Sequence, residues 1–172
     1  MKLQRLGYDF FQQEVLVVAP LLLGKNLVCK LPDGSTEKRM ITETEAYNGE
    51  DDLACHACKG KTERNKVMYE MGGLVYVYLV YGMYWMLNFV TGKADHPQAA
   101  LIRGIDGYNG PGKLTRFLNT DKSFYSEDLV KSNRIWVEET NLKIKYECTP
   151  RIGIDYAGDY WKNVPWRFVL KK

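Results

Sequence analysis

The sequence predicts an α+β fold: a single compact domain over residues 1–172, with a mixed, mainly antiparallel, curved β core, peripheral helices and a protruding β-hairpin. Three observations lead to it. Short segments of strand composition, separated by turns rich in Gly, Pro, Asn and Asp, fill most of the chain, whereas helical signals are confined to residues 9–24 and 114–119. Two aromatic-rich runs flank Gly82-Met83, the pattern of a β-hairpin. Finally, 172 residues with 45% hydrophobic content suffice for one core, and no repeat, linker or low-complexity tract divides them.

Taken in order, Asp9 and Phe10-Phe11-Gln12 signal a helix start. The apolar segment Val15–Leu23 continues it to a Gly24 cap, with Pro20 kinking the helix or starting a second. Asn26–Lys30 and Glu37–Tyr47 read as strands joined by the turn Pro32-Asp33-Gly34. In the second strand a period of two places Ile41, Glu43, Glu45 and Tyr47 on one face and Met40, Thr42, Thr44 and Ala46 on the other. A solvated carboxylate face and a functional one both remain open there.

The next segment, after the acidic turn Gly49-Glu50-Asp51-Asp52, carries Cys55, His56 and Cys58. Zinc would need paired ligand clusters, and Cys29, His96 and Cys148 are isolated, so no metal site is expected. Lys59, Lys61, Arg64 and Lys66 then form the densest positive patch, a solvated loop or a set of phosphate contacts.

In the hairpin, a tight turn centred on Gly82 and Met83 would pair Tyr81 with Tyr84, Leu79 with Met86 and Val77 with Asn88 on one side of the ribbon. That makes a wedge with an aromatic tip. Ala99–Ile105 reads as a buried strand whose Arg103 requires a carboxylate or phosphate partner. Gly110-Pro111-Gly112-Lys113 opens the helical run Leu114–Asn119, an ordinary turn or an anion site with Lys113 at its start. Ser126–Leu129 is a turn, Asp155–Asp159 a loop, and Arg134–Glu138, Leu142–Cys148, Arg151–Asp155 and Trp166–Leu170 are strands.

A net charge of +3 permits a polyanionic partner without demanding one. The mixed polar and aromatic residues Met1–Gln13 do not read as a secretory signal, so the four cysteines are expected to be reduced. The longest apolar run, Val15–Gly24, is too short to span a bilayer.

Glu43-Thr44-Glu45-Ala46-Tyr47, followed by His56, Arg64-Asn65, Tyr76-Val77-Tyr78, Tyr81-Gly82-Met83, Asn88 and Arg103, resembles the alkyladenine (3-methyladenine) DNA glycosylase family. The resemblance runs from Leu22-Leu23-Gly24-Lys25 to Arg151-Ile152-Gly153-Ile154-Asp155-Tyr156-Ala157-Gly158. It implies a monofunctional enzyme of base excision repair. Such an enzyme flips an alkylated or deaminated purine out of duplex DNA and hydrolyses its N-glycosidic bond, leaving an abasic site. Glu45 matches the glutamate that activates water, and Arg103 the arginine that helps to hold it. Tyr47 on one side, with His56 and Tyr78 on the other, match the base sandwich; Tyr81 matches the intercalating tyrosine, and Asn88 the asparagine that clashes with the exocyclic amine of guanine. Glu43 shares the face of Glu45 and is expected to be structural.

The resemblance implies no metal or organic cofactor, no membrane, and a monomer whose partner is double-stranded DNA containing damaged purines. It places the protein inside the cell with its DNA, in cytoplasm and nucleoid or in a nucleus. No lysine occupies a matched catalytic position, which disfavours lyase chemistry. Glu63 stands where relatives often have proline, and Cys55 and Cys58 flank His56. A non-catalytic lesion-binding module is the alternative, and a small zinc module on Cys55, His56 and Cys58 a third reading.

Overall fold

The computed structural model describes residues 4–171; residues 1–3 and 172, at the ends of the predicted domain, lie outside it. Helices α1 (Tyr8–Phe11) and α2 (Val15–Leu21) open the described chain. The strands are β1 (Asn26–Lys30), β2 (Thr36–Asn48), β3 (Val75–Val80), β4 (Tyr84–Thr91), β5 (Gln98–Ile105), β6 (Tyr108–Asn109), β7 (Ile135–Glu138), β8 (Tyr146–Thr149) and β9 (Arg167–Leu170). Helix α3 (Pro111–Phe117) follows β6, and α4 (Gly158–Asn163) precedes β9. The sheet runs β3-β4-β5-β2-β1-β7, with β6 on β5 and β9 joining β2 to β8. This is the expected α+β architecture, and its named strands pair antiparallel.

Strand β2 is the spine. Its first half pairs with β1, from Lys30↔Thr36 to Asn26↔Met40, and its second half lies between β5 and β9. The change of partner coincides with register shifts at Ile41/Glu43 and Glu43/Thr44. This irregularity corrects the simple alternation expected for the strand. Ile41 lies in the main core with Ala46, whereas Glu43, Glu45 and Tyr47 belong to the other side. Each strand carries one unpaired extra residue, Thr42 in β2 and Arg103 in β5, so the pairing resumes in its original register (Ile41↔Ile105, Thr44↔Ile102) while the faces of both strands invert. The partner strand accommodates it with Gly104, where a Cβ would come within 2.9 Å of Thr42 Oγ1 and 3.1 Å of Glu43 Cβ.

Alternation then sorts core from site along the neighbouring strands. Val75 and Val77 of β3, Leu87 and Phe89 of β4, and Ala100 and Ile102 of β5 enter the main core with Val18 and Leu22 from around α2 and Leu114 and Leu118 from around α3. Full burial of Leu87 or Phe89 stabilises the fold by about 2 kcal/mol each. The intervening residues Tyr76, Tyr78, Met86, Asn88, Leu101 and Arg103 line a cavity on the opposite face.

The β3–β4 hairpin corrects the expected register by one residue. Its pairs are Val80↔Tyr84, Leu79↔Trp85, Tyr78↔Met86, Val77↔Leu87 and Tyr76↔Asn88. Tyr81 (φ 52°) and Gly82 (φ 67°) both adopt left-handed conformations, and Met83 N donates to Val80 O at 3.1 Å, so the turn centres on Tyr81-Gly82 and the tip contains Met83. The slip has a consequence for the site. Tyr76, Tyr78 and Asn88 now share a face, whereas the expected register sets Asn88 with Val77.

Other boundaries also differ. The N-terminal apolar segment is two helices separated by Gln12–Glu14, with Pro20 retained in the last turn of α2. Of the strand expected over Leu142–Cys148, only Tyr146–Thr149 pairs. Residues Arg151–Asp155 form no strand: Gly153 turns through φ 76°, and the Ile152 N–H donates to Glu45 rather than to a ladder. Beyond them the predicted loop is a 3₁₀ turn, Asp155–Ala157, running into α4.

Candidate active site

A cavity of about 1170 Å³ opens on the face of the sheet opposite α2 and α3. Its wall combines Tyr47 from β2, His56 and Arg64 from the following loop, Tyr76 and Tyr78 from β3, Asn88 from β4 and Arg103 from β5. Tyr81, 88% exposed, stands at its edge on the hairpin tip.

Glu45 is fully buried and is not itself part of the cavity wall. Its Oε2 accepts from the Tyr47 hydroxyl at 2.8 Å and its Oε1 from the Ile152 N–H at 2.8 Å, with Arg103 Nε 3.6 Å from Oε1. Burial raises its pKa above the usual carboxylate value, opposed by Arg103, the Ile152 amide, the Tyr47 hydroxyl and Arg151. Burial also holds the Tyr47 phenol well above its ordinary pKa, so it stays protonated as the donor.

His56 packs edge-on against Tyr78, with ring centres 4.4 Å apart, and its Nδ1 lies 2.8 Å from the Tyr76 hydroxyl. Burial, then the neighbouring Arg64 charge, push its pKa down to about 4, which makes the ring neutral at pH 7. Asn65 fixes this loop, donating to the carbonyls of His56 and Gly60 at 3.0 Å each. Asn88 is equally constrained: its amide donates to Tyr76 O at 3.2 Å and Met86 O at 3.3 Å. Among the described residues no group of three His, Cys, Asp or Glu is arranged to hold a metal ion.

The basic residues are exposed but not equivalent. Lys59 and Arg64 reach the cavity wall, and Arg64 sits 5.2 Å over the Tyr78 ring. Lys66 is paired with Glu63 at 2.8 Å, Lys61 lies 5.4 Å over Tyr69, and Lys113 lies apart on α3.

Several contributors escape a reading of the sequence. Asp52 and Arg151 form a fully buried, two-pronged ion pair at 2.6 and 2.9 Å, and Arg151 also donates to Ala46 O at 2.9 Å. The pair ties the loop after β2 to the segment that carries Ile152. Nothing in the spacing of residues 52 and 151 announces it. Tyr76 had a signal, since period two in Tyr76-Val77-Tyr78 puts it beside Tyr78. Arg103 finds its required carboxylate in Glu43, at 3.0 Å.

A model of the family described as methylpurine-DNA glycosylase matches residues 9–108 and 106–172. The chain is 42% identical over 175 residues to a protein of Borreliella burgdorferi, covering 94% of each. It is 43% identical over 183 residues to one of Methanocella arvoryzae, covering 95% of this chain and 90% of that one. For a protein of Rickettsia felis the identity is 42% over 176 residues, covering 98% and 94%. All three relatives carry the provisional name 3-methyladenine DNA glycosylase. With the family model and these relatives both spanning nearly its whole length, the chain belongs to the methylpurine-DNA glycosylase family.

Proposed function

We propose that the protein is a monofunctional DNA glycosylase that excises alkylated or deaminated purines, such as 3-methyladenine, from duplex DNA and leaves an abasic site. The observation that carries this reading is a buried glutamate, Glu45, joined through Tyr47 and Arg103 to a cavity lined with aromatic side chains. A flipped base stacks between Tyr47 and the pair His56–Tyr78, while Tyr81 fills the gap left in the duplex and offsets part of the unstacking cost of a few kcal/mol. Lys59, Lys61, Arg64, Lys66 and Lys113 contact phosphates, with Lys59 and Arg64 nearest the flipped nucleotide.

Glu45 removes a proton from a water held with Arg103. The water oxygen bonds to the anomeric carbon, and the electron pair of the breaking C–N bond leaves with the purine. An alkylated cationic purine departs neutral and needs no acid, and a neutral His56 spares it electrostatic repulsion. Asn88, tied to two carbonyls, cannot swing away from the exocyclic amine of guanine, which excludes the undamaged base by contact. Purine release from methylated duplex DNA tests the reading. Release well above that of Glu45→Gln is expected, and equal release from the two proteins overturns it.

Complete coverage of Glu45 favours a second reading, a lesion-binding module without hydrolysis. It predicts binding to abasic-analogue duplex that survives Glu45→Gln, with no purine released by the native protein.

A further inference from the structure

Glu43 has a place in the site beyond supporting the sheet. Its Oε1 accepts from Arg103 Nε at 3.0 Å and from Arg167 Nε at 2.6 Å, and all three side chains are largely shielded from solvent. Arg103 Nε lies between two carboxylates, 0.6 Å nearer to Glu43 than to Glu45 (3.0 against 3.6 Å). Holding Arg103 by Nε leaves its terminal nitrogens for the cavity that this residue lines.

The charged and titratable groups near Glu45 come from several elements. Glu43 and Tyr47 belong to β2, Tyr78 to β3, Arg103 to β5, Arg167 to β9, and Arg151 arrives with its partner Asp52. The Asp52–Arg151 pair is balanced internally. Glu43 and Glu45 balance Arg103 and Arg167, and without Glu43 that group carries one excess positive charge beside Glu45.

Resting on the glycosylase reading, we propose that Glu43 is a positioning residue for the reaction: it fixes Arg103 beside Glu45 and offsets the guanidinium charge that would otherwise weaken Glu45 as a base. Two glutamates on one side of β2 divide this work through their partners. One faces a pair of arginines from neighbouring strands, and the other is sealed behind Tyr47 and Ile152.

Glu43→Gln separates the two effects, because the amide oxygen still accepts from both arginines while the charge is gone; Glu43→Ala removes both. The first measurement is a ¹³C NMR titration of the Glu45 carboxyl in the DNA-free protein. The Glu45 pKa is expected to fall measurably in Glu43→Gln, because a nearby like charge has been removed. The second is single-turnover purine release against pH. There the acid limb of Glu43→Gln moves down in step with the titration and the plateau falls several-fold, whereas Glu43→Ala loses more at every pH. Titration curves and acid limbs that coincide with those of the unmodified protein, whatever the change in melting temperature, overturn the proposal. Absence of release from the unmodified protein counts against the glycosylase reading instead, and the titration, which needs no turnover, still decides the role of Glu43.

Discussion

The guanidinium of Arg151 lies 4.8 Å from the centre of the Tyr47 ring while both of its terminal nitrogens bond Asp52. Tyr47 is thus backed by a charge that is itself fully paired and buried. Removing one member of such a pair leaves the other uncompensated. Asp52→Ala is therefore expected to destabilise the protein by about 3–5 kcal/mol. Urea unfolding at neutral pH measures this, and a loss below about 1 kcal/mol, the ordinary value for a surface pair, would show that the ion pair contributes little.

The hydroxyl of Tyr47 stabilises the ionised form of Glu45. Tyr47→Phe keeps the ring for stacking and removes that hydrogen bond, so the Glu45 pKa should rise further. The acid limb of the single-turnover profile then moves upward, opposite in sign to the shift expected for Glu43→Gln. Release measured from pH 4 to 8 checks it, and a downward or absent shift would remove Tyr47 from the charge balance of Glu45.

His56 is held neutral, with a pKa near 4 in the folded protein against an ordinary 6.5. The unfolded chain therefore binds more protons between these values. The stability contributed by the neutral ring is complete above about pH 6.5 and is lost as pH falls toward 4, by about 3 kcal/mol at most. Comparing unfolding free energies of the protein and of His56→Gln across this range isolates the effect. Parallel curves for the two would contradict it.

Tyr81 is 88% exposed and supports little packing. Tyr81→Ala is expected to change stability by less than about 0.5 kcal/mol while weakening extrusion of the base. A fluorescent base analogue in duplex DNA reports extrusion, and an unchanged signal would exclude the wedge role. Affinity should also fall with salt through Lys59, Lys61, Arg64, Lys66 and Lys113, less steeply after Arg64→Ala than after Lys66→Ala, because Lys66 is already paired with Glu63. Equal effects of the two substitutions would contradict this ranking.

The sequence carried the fold class, the strands from β1 to β5 and the opening of α3, because alternation, turn residues and the Gly-Pro-Gly step are local signals. It also required a carboxylate or phosphate partner for Arg103, and the fold supplies the carboxylate of Glu43. What it lacked was phase. Neither the irregularity near Glu43 nor the one-residue slip at Tyr81 is written in residue type: both depend on which strand lies opposite and on backbone torsion at a single position. The same holds for Arg151–Asp155, where Ile152 and Ile154 alternate like a strand but Gly153 turns and Ile152 is drawn to Glu45. Asp52 and Arg151, far apart in the chain, meet only after folding.

The paired irregularity of β2 and β5 joins two stretches of sheet that keep step with each other but face opposite ways. A one-residue deletion between Ile41 and Thr44 would leave Arg103 of β5 without the compensating Thr42 and slip the second half of β2 by one residue against β5, turning Glu45 and Tyr47 toward the hydrophobic side while β1 kept its own pairing. Length variation in descendants of this sequence should therefore collect in the loops and spare this stretch, even where individual side chains drift. Gly104 is bound by the same constraint, because any larger residue there collides with the offset on which the face of Glu45 depends.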